Sequence, residues 1–338
     1  MKNFLIVKLS AIGDVIHALP VAYALKEAYP DCHITWVVEP PAFDLVNMSP
    51  YIDEVILFEK KKFKSLGGFL REYGPMKRKI RQRRYDAVLD LQGLFKSAAI
   101  ARLGQAPVKL GMCNMRELSD KISKPVIGPN ANGHIVERYL DVARALGCPV
   151  KEVRFTLEVP EREADLAQRI FAQAGANMAN PYVVLAIGAN WPNKRWPAEN
   201  FARLADKLYD RNLIPVLVGG GVVDEQRAAE ICSYSEVPPL NLVGRTNFKQ
   251  LTYILQNARL TVGGDTGPVH LSAGMGTKTI MVMGPTDANR NGPYGQLENA
   301  IEVDRPCRYC WKRACPKNFD CLQNITVEQV LEKIEELG

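Results

Sequence analysis

Five loop segments concentrate the residues able to do chemistry. In KLSAIGD, residues 8–14, Gly13 permits a tight turn and Asp14 opens a helix. A carboxylate at a helix N-terminus is electrostatically favoured, and in isolation helix support is the simpler reading of Asp14. The chemical reading is a general base: an ionised Asp aimed into a cleft takes the proton of a hydroxyl as that hydroxyl attacks carbon. His17 follows on the same side of the helix. A lone histidine there is more often packed than catalytic.

The second segment holds Gly263, Gly264, Asp265, Thr266, Gly267, Pro268 and His270. It follows an apolar run and opens a helix with Pro in its first turn. Free N–H groups at such a helix start bind phosphate, and the glycines allow the backbone to come close. Thr266 adds a hydroxyl and His270 an available cation, so the cluster reads as a diphosphate cradle. It is neither GxxxxGK[ST] nor GxGxxG. Residues 188–197 form the third segment, in which Lys194 and Arg195 can face the same anion while Trp191 and Trp196 fix the loop. The fourth is Gly219, Gly220 and Gly221 with Asp224 and Glu225. A glycine-rich loop followed by an acid is the pattern of a ribose-holding site, although an Asp so placed also caps helices.

The fifth segment is Cys307-x2-Cys310-x4-Cys315-x5-Cys321. Four thiols match tetrahedral zinc by number and softness. Only the first pair has the usual spacing, so reduced structural cysteines and disulfides stay open, and structural zinc is not the favoured reading. Cys32, Cys113, Cys148 and Cys232 are scattered. Nothing in the pattern points to a catalytic metal.

These loops need elements to hold them. Strand-length apolar runs at residues 4–9, 34–38, 55–58 and 87–91 alternate with helical stretches at 14–28, 94–103 and 135–146, and the segment 60–84 is expected to be helical in part, broken by Gly67, Gly68, Gly74 and Pro75. The pattern restarts with strands at 182–187, 213–218, 260–262 and 279–283. Helices are expected around 201–209, 224–232, 248–256, 269–273 and 327–337. This alternation predicts α/β architecture with parallel sheets covered on both faces. Two series predict two doubly wound, Rossmann-like domains, residues 1–165 and 166–325, with a terminal helix at 326–338 that can pack back on the first domain. Ligands of such sheets sit at the carboxyl ends of strands. The loops after Leu9, Ile187, Val218, Val262 and Met283 are therefore the expected site.

The 338 residues are 47% hydrophobic and 24% charged, which excludes disorder and a small disulfide scaffold. No window approaches the roughly 20 apolar residues of a membrane helix. Lys8 and Asp14 interrupt the N-terminal apolar run, unlike a signal peptide, so the cytoplasm is the expected compartment. The net charge of +6 comes from one place. Residues 60–84 contain eleven Lys or Arg and a single acid, Glu72, for a local charge of +10. Charge runs are usually solvated faces, but those mix signs. A patch this uniform attracts an anionic partner: nucleic acid, an acidic sugar or anionic lipid.

KLSAIGDVIHALP, DLQGLFKSA, NKRWP and GGDTGPVHLSAGMGTKTIMVMGPTD together resemble the bacterial lipopolysaccharide heptosyltransferases, ADP-heptose glycosyltransferases of the GT-B architecture. The resemblance spans nearly the whole chain. The first motif, the DLQG segment and the length between them are most similar to the type I members, which add the first heptose to Kdo. The resemblance implies two domains facing across a cleft, an ADP-heptose donor, a Kdo-lipid A acceptor at the inner leaflet, inversion at the anomeric carbon and no required cofactor. It implies Asp14 as the base and Lys194 as the neutraliser of the departing diphosphate. Asp265, Thr266, Gly267, His270, Asn190 and Asp224 would hold the donor, with Asp224 standing where the family has Glu. Lys8, Lys60, Lys61, Lys64 and Arg71 would meet the acceptor. It further implies a cytoplasmic protein attached peripherally to the inner membrane.

Three other readings compete. A sibling activity adds a later heptose. A nucleic-acid binder would use residues 60–84, but stacking needs interleaved aromatics, and only Phe63, Phe69 and Tyr73 are offered. A dinucleotide oxidoreductase would show GxGxxG opening a helix, and neither half does.

Overall fold

Short β-branched runs become strands here because helices wall them off from water on both faces. The computed structural model describes residues 1–63, 65–317 and 319–338, and the chain forms two units, residues 1–158 and 159–338. In the first, strands β1 (Asn3–Val7), β2 (His33–Val38), β3 (Glu54–Leu57), β4 (Ala87–Asp90), β5 (Val108–Gly111) and β6 (Lys124–Pro125) alternate with helices. These are α1 (Ile12–Ala18), α2 (Pro20–Ala28), α3 (Phe43–Asn47), α4 (Leu66–Ile80), α5 (Phe95–Leu103) and α6 (Ile135–Arg144). The parallel sheet runs β3-β2-β1-β4-β5-β6.

The second unit opens with α7 (Glu161–Gln173). Its strands are β7 (Tyr182–Ala186), β8 (Ile214–Val218), β9 (Leu240–Asn241), β10 (Leu260–Gly264), β11 (Thr279–Met283) and β12 (Ala300–Glu302). Its other helices are α8 (Ala198–Tyr209), α9 (Val222–Tyr234), α10 (Phe248–Gln256), α11 (Gly267–Gly274), α12 (Ala288–Asn291) and α13 (Val327–Glu336). The strand order is β12-β11-β10-β7-β8-β9, all parallel. Counted within its own unit, each sheet reads 3-2-1-4-5-6, the doubly wound order. The direction of winding reverses between β1 and β4 and again between β7 and β10. Loops leaving those neighbouring strands diverge to opposite faces and open a crevice.

Four expectations are corrected. The helix over 14–28 is two helices, because Pro20 lacks the N–H that a continuous helix would need and starts α2 instead. Helix α4 runs unbroken through Gly67, Gly68, Gly74 and Pro75, because Met76 and Ile80 anchor its far end in the core. Residues 159–165 open the second unit rather than closing the first. The terminal helix packs on the second unit. Val327, Val330 and Ile334 form one stripe and join Trp196, Phe201, Leu322 and Ile325 in its core. Arg203 of α8 and Arg211, just beyond its end, pair with Glu328 and Glu335 at 2.7 and 2.6 Å. Strands β5 and β6 are additions. They are short and half-exposed, so no apolar run announces them.

Ile334→Ala is expected to lower unfolding stability by about 2 kcal/mol through the cavity left between α13 and α8, read by urea titration. No change would mean that this helix is not part of the core.

Candidate active site

The first switch point is built by two loops. Gln92, just after β4, offers its Oε1 to the backbone N–H groups of Leu9 and Ser10, both at 3.0 Å. The buried Asp90 shapes that turn, accepting the Gln92 and Gly93 amides at 3.2 and 3.0 Å. Burial pushes the Asp90 carboxyl up, against those amides, the Ser97 hydroxyl and the Lys8 ammonium. Lys96 donates to Glu39 at 2.6 Å and reaches Ser10 Oγ at 3.4 Å. The loop carrying Asp14 is thus held from β4 through Gln92 and from α5 through Lys96.

Asp14 is the third residue of α1 and accepts the Ala11 N–H at 3.2 Å, the acidic half of a capping box. Both readings of Asp14 therefore meet in one carboxylate, half-buried and carrying a single hydrogen bond among the described residues. His17 is buried edge-on against the His134 ring, with centroids 5.7 Å apart. Lys8 is buried too. Its Nζ donates to the Tyr139 hydroxyl at 2.8 Å, and its carbonyl accepts Trp36 Nε1 at 3.0 Å. It is therefore set apart from the exposed Lys60, Lys61 and Arg71. Lys64 lies outside the described residues.

The second switch point is an ion cluster. Asp265, buried at the end of β10, accepts Lys194 Nζ at 2.6 Å and the Thr286 hydroxyl at 2.7 Å on Oδ2, and faces His270 Nε2 at 2.7 Å on Oδ1. Burial alone would raise its pKa. The hydrogen bond and charge of His270 and the charge of Lys194 outweigh that, holding the carboxyl well below the ordinary carboxylate range. Lys194 also lies over the Trp191 ring, 4.5 Å from its centroid. Trp196 is fully buried and donates to the Ile325 carbonyl at 2.8 Å. One tryptophan fixes the loop, and the other places the ammonium.

Thr266 stands at the N-cap position of α11, yet its buried hydroxyl has no hydrogen-bond partner among the described residues. A buried hydroxyl without a partner costs free energy unless a ligand completes it. It stands where the first N–H groups of α11 are also unpaired within the helix. The glycines serve differently from the expectation. A Cβ on Gly264 would overlap the Lys194 carbonyl, and one on Gly263 would meet Ala186 and Val269. Their missing side chains admit the protein's own Lys194 loop and helix α11, rather than a ligand.

Asp224 is similarly enclosed. Its carboxylate occupies the space a Cβ on Gly188 or Gly219 would take and accepts the Gly220 N–H at 2.9 Å. One turn on, the half-buried Arg227 keeps Nε and Nη2 without hydrogen-bond partners among the described residues. Burial and the nearby Arg195 depress its pKa, against Glu230, Asp320 and Asp224. Asn190 is exposed.

The cysteine-rich segment touches both the loop of residues 188–197 and the loop after β11. Asn193 donates to the Lys312 carbonyl at 2.6 Å, and Arg313 approaches the Asn190 carbonyl at 3.5 Å. The Tyr309 and Trp311 amides bond the Gly284 and Pro285 carbonyls at 3.0 and 2.9 Å, just before Thr286. All four cysteines are free thiols, and among the described residues no group of three or more His, Cys, Asp or Glu is arranged to hold a metal ion. Burial and the other three thiols push Cys321 up to about 11.

The structure therefore brings Lys194, Asp265, Thr266, Gly267 and His270 to one strand end, with Asp224 beside the neighbouring β7 and β8 loops. Asp14 belongs to the first unit. Two residues escaped the sequence reading, Thr286 and Gln92, and Trp191, expected only to fix its loop, lies under the Lys194 ammonium. Thr286 falls after β11, one of the expected strand ends. Gln92 was open to the same rule applied to residues 87–91.

A family model described as glycosyltransferase family 9 (heptosyltransferase) matches residues 74–319. Lipopolysaccharide heptosyltransferase 1 of Pseudomonas aeruginosa is 32% identical over 92% of this chain and 86% of its own length. Among solved structures, a glycosyl transferase family 9 protein from Veillonella parvula superposes with a TM-score of 0.86 at 25% identity, covering 99% of this chain and 97% of that one. The E. coli heptosyltransferase WaaC with ADP gives 0.77 at 28% identity over 99% and 100%.

A depressed carboxyl pKa stabilises the fold above the unfolded-state value of about 4, and the contribution is lost as pH falls below it. Asp265→Asn is expected to cost about 3–5 kcal/mol at neutral pH, by leaving Lys194 and His270 uncompensated, and to flatten the loss of stability below about pH 4. Urea titrations across pH, followed by tryptophan fluorescence, measure both. Gln92→Ala is expected to leave the global midpoint within about 1 kcal/mol while speeding amide exchange of Leu9 and Ser10, read by hydrogen-exchange mass spectrometry.

Proposed function

The chain belongs to glycosyltransferase family 9, the heptosyltransferases, and from that premise we propose that it moves L-glycero-D-manno-heptose from ADP-heptose to a Kdo residue of Kdo-lipid A, as the first heptose of the inner core. The observation that carries the donor assignment is the Asp265 cluster with the unpartnered Thr266 hydroxyl at the start of α11. Relatives named as heptosyltransferase 1 at 27–32% identity support the type I reading. So do WaaC structures described with ADP and with ADP-2-deoxy-2-fluoro heptose.

In this reading the diphosphate lies at the N-terminus of α11, against its amides, the Thr266 hydroxyl and the Gly267 backbone. Asp265 does not contact the leaving group. It orients Lys194 and His270, and Lys194 turns its remaining protons toward the diphosphate as charge develops there. Donors already fixed in place stabilise that charge without reorganisation, which is where most of the barrier reduction arises. Asp224 takes the ribose hydroxyls, and Asn190 the rim of the donor. Asp14 accepts the proton of the Kdo hydroxyl. That oxygen bonds to the anomeric carbon from the face opposite the leaving group, the carbon–oxygen bond to diphosphate breaks, and ADP departs with the electron pair. One displacement gives inversion.

Lys60, Lys61, Lys64 and Arg71 meet the phosphates and carboxylates of the acceptor. Lys8 acts through its field, from its buried place beside Tyr139 and near Asp90. Among the described residues, no helix is long and apolar enough to cross a membrane. The proposal seats the enzyme peripherally, on the cytoplasmic side of the inner membrane.

Asp14→Ala is expected to reduce transfer by roughly 10²–10⁴-fold while leaving ADP affinity within about twofold. Calorimetry with ADP and a transfer assay separate the two. Kdo₂-lipid A should be consumed and its mono-heptosylated product should not; the reverse preference would assign a later heptose instead.

A further inference from the structure

Helix α4 carries an apolar stripe that outruns its own core. Residues 66, 69, 70, 73, 76 and 80 share one side of the helix. At the far end Met76 and Ile80 are buried in the first unit. At the near end Leu66 is 77% exposed, Leu70 70%, Phe69 43% and Tyr73 39%. Two leucines and two aromatics at i, i+3, i+4 and i+7 form a continuous exposed patch, unlike scattered surface hydrophobics.

The patch is held rigidly. Phe58, buried beyond β3, packs on Phe63 at 5.0 Å between centroids, Phe63 on Phe69 at 6.3 Å, and Phe69 on Tyr73 at 5.3 Å. The turn Lys60–Phe63 lies so close to α4 that a Cβ on Gly68 would overlap the Lys62 carbonyl. Ser65 caps the helix by accepting the Gly68 N–H at 3.1 Å. Lys60, Lys61 and Lys62 are thereby pinned beside Leu66.

Acids answer only part of the surrounding charge. Lys62 pairs with Glu59, Arg71 with Glu72 and Arg83 with Glu54. Exposed Lys60, Lys61, Arg78 and Lys79 enter no ion pair among the described residues. Exposed leucines within a collar of unpaired cations have the chemistry of an interfacial helix.

We propose that this face docks into an anionic bilayer, with Leu66, Phe69, Leu70 and Tyr73 entering the headgroup–acyl boundary and the flanking lysines and arginines lying on lipid phosphates. A second copy of the chain is disfavoured as occupant, because self-contact would set the same cationic collar against itself. Nucleic acid would find two aliphatic side chains where bases need stacking faces. The inference rests on the lipid-linked acceptor proposed above, and names the side chains that bring the enzyme to it.

The test is flotation of the full-length protein with phosphatidylcholine vesicles, with and without phosphatidylglycerol. Binding is expected only with the anionic lipid, and to weaken as salt rises. Leu66→Gln with Leu70→Gln is expected to lower vesicle binding by at least about tenfold. ADP affinity, the unfolding midpoint and transfer to a delipidated, water-soluble Kdo acceptor should stay unchanged. Lys60→Gln with Lys61→Gln should lower binding without abolishing the response to the leucine pair. Equal binding by the leucine variant and the unaltered protein would overturn the proposal. So would equal binding to both vesicle types, or leucine-dependent dimerisation without vesicle binding. Loss of transfer to every Kdo acceptor with vesicle binding intact would instead sink the proposed activity.

Discussion

A carboxylate buried at the end of a strand is stable only if positive charge and hydrogen-bond donors face it, and Asp265 gathers them from three directions. Lys194 comes from the loop after β7, His270 from α11 and Thr286 from the loop after β11. One side chain thereby fixes the relative positions of three strand-end loops. It also keeps an ammonium in a dry place without leaving that charge uncompensated, since the desolvation of each ion is offset only by the other. The glycines of β10 belong to the same device. Gly264 has no side chain because the Lys194 backbone must pass there.

The two units use their shared topology in parallel. In each, the loops after the first and fourth strands are tied together where the winding reverses. The second unit ties them with the Lys194–Asp265 ion pair, the first with the Gln92 amide on the Leu9 and Ser10 backbone. In the proposed reaction the ties differ as their tasks do. An anionic donor needs fixed positive charge, whereas a loop that presents a carboxylate needs a neutral clamp that leaves that carboxylate free to accept a proton. Asp14 performs helix capping with one oxygen, and this role does not compete with the proposed chemistry.

The cysteine-rich segment carries four free thiols. Its backbone matters more than its sulfur. Tyr309 and Trp311 hydrogen-bond the loop that delivers Thr286, and Lys312 accepts from Asn193 beside Lys194. It is a strap over two sides of the Asp265 cluster, tied by hydrogen bonds to the loops that carry Thr286 and Lys194.

Apolar runs of strand length between helical periods were enough to specify two doubly wound units, because burial of such runs on both faces has few other solutions. Strand-end logic likewise located Asp14, Lys194, Asp265 and His270 beyond strand ends, in the loops or in the first turn of the helices that follow. Sequence alone did not say which of those groups meet. Lys194 and Asp265 lie 71 positions apart, and Asp265 and Thr286 21, and only the neighbouring of β7, β10 and β11 makes them contacts. Burial was equally a matter of tertiary structure. Lys8 and Lys60 look alike in the chain, but one is packed against Tyr139 and the other faces water. The terminal helix had a legible apolar stripe and no legible partner, because a stripe records that a face must be covered and not what covers it.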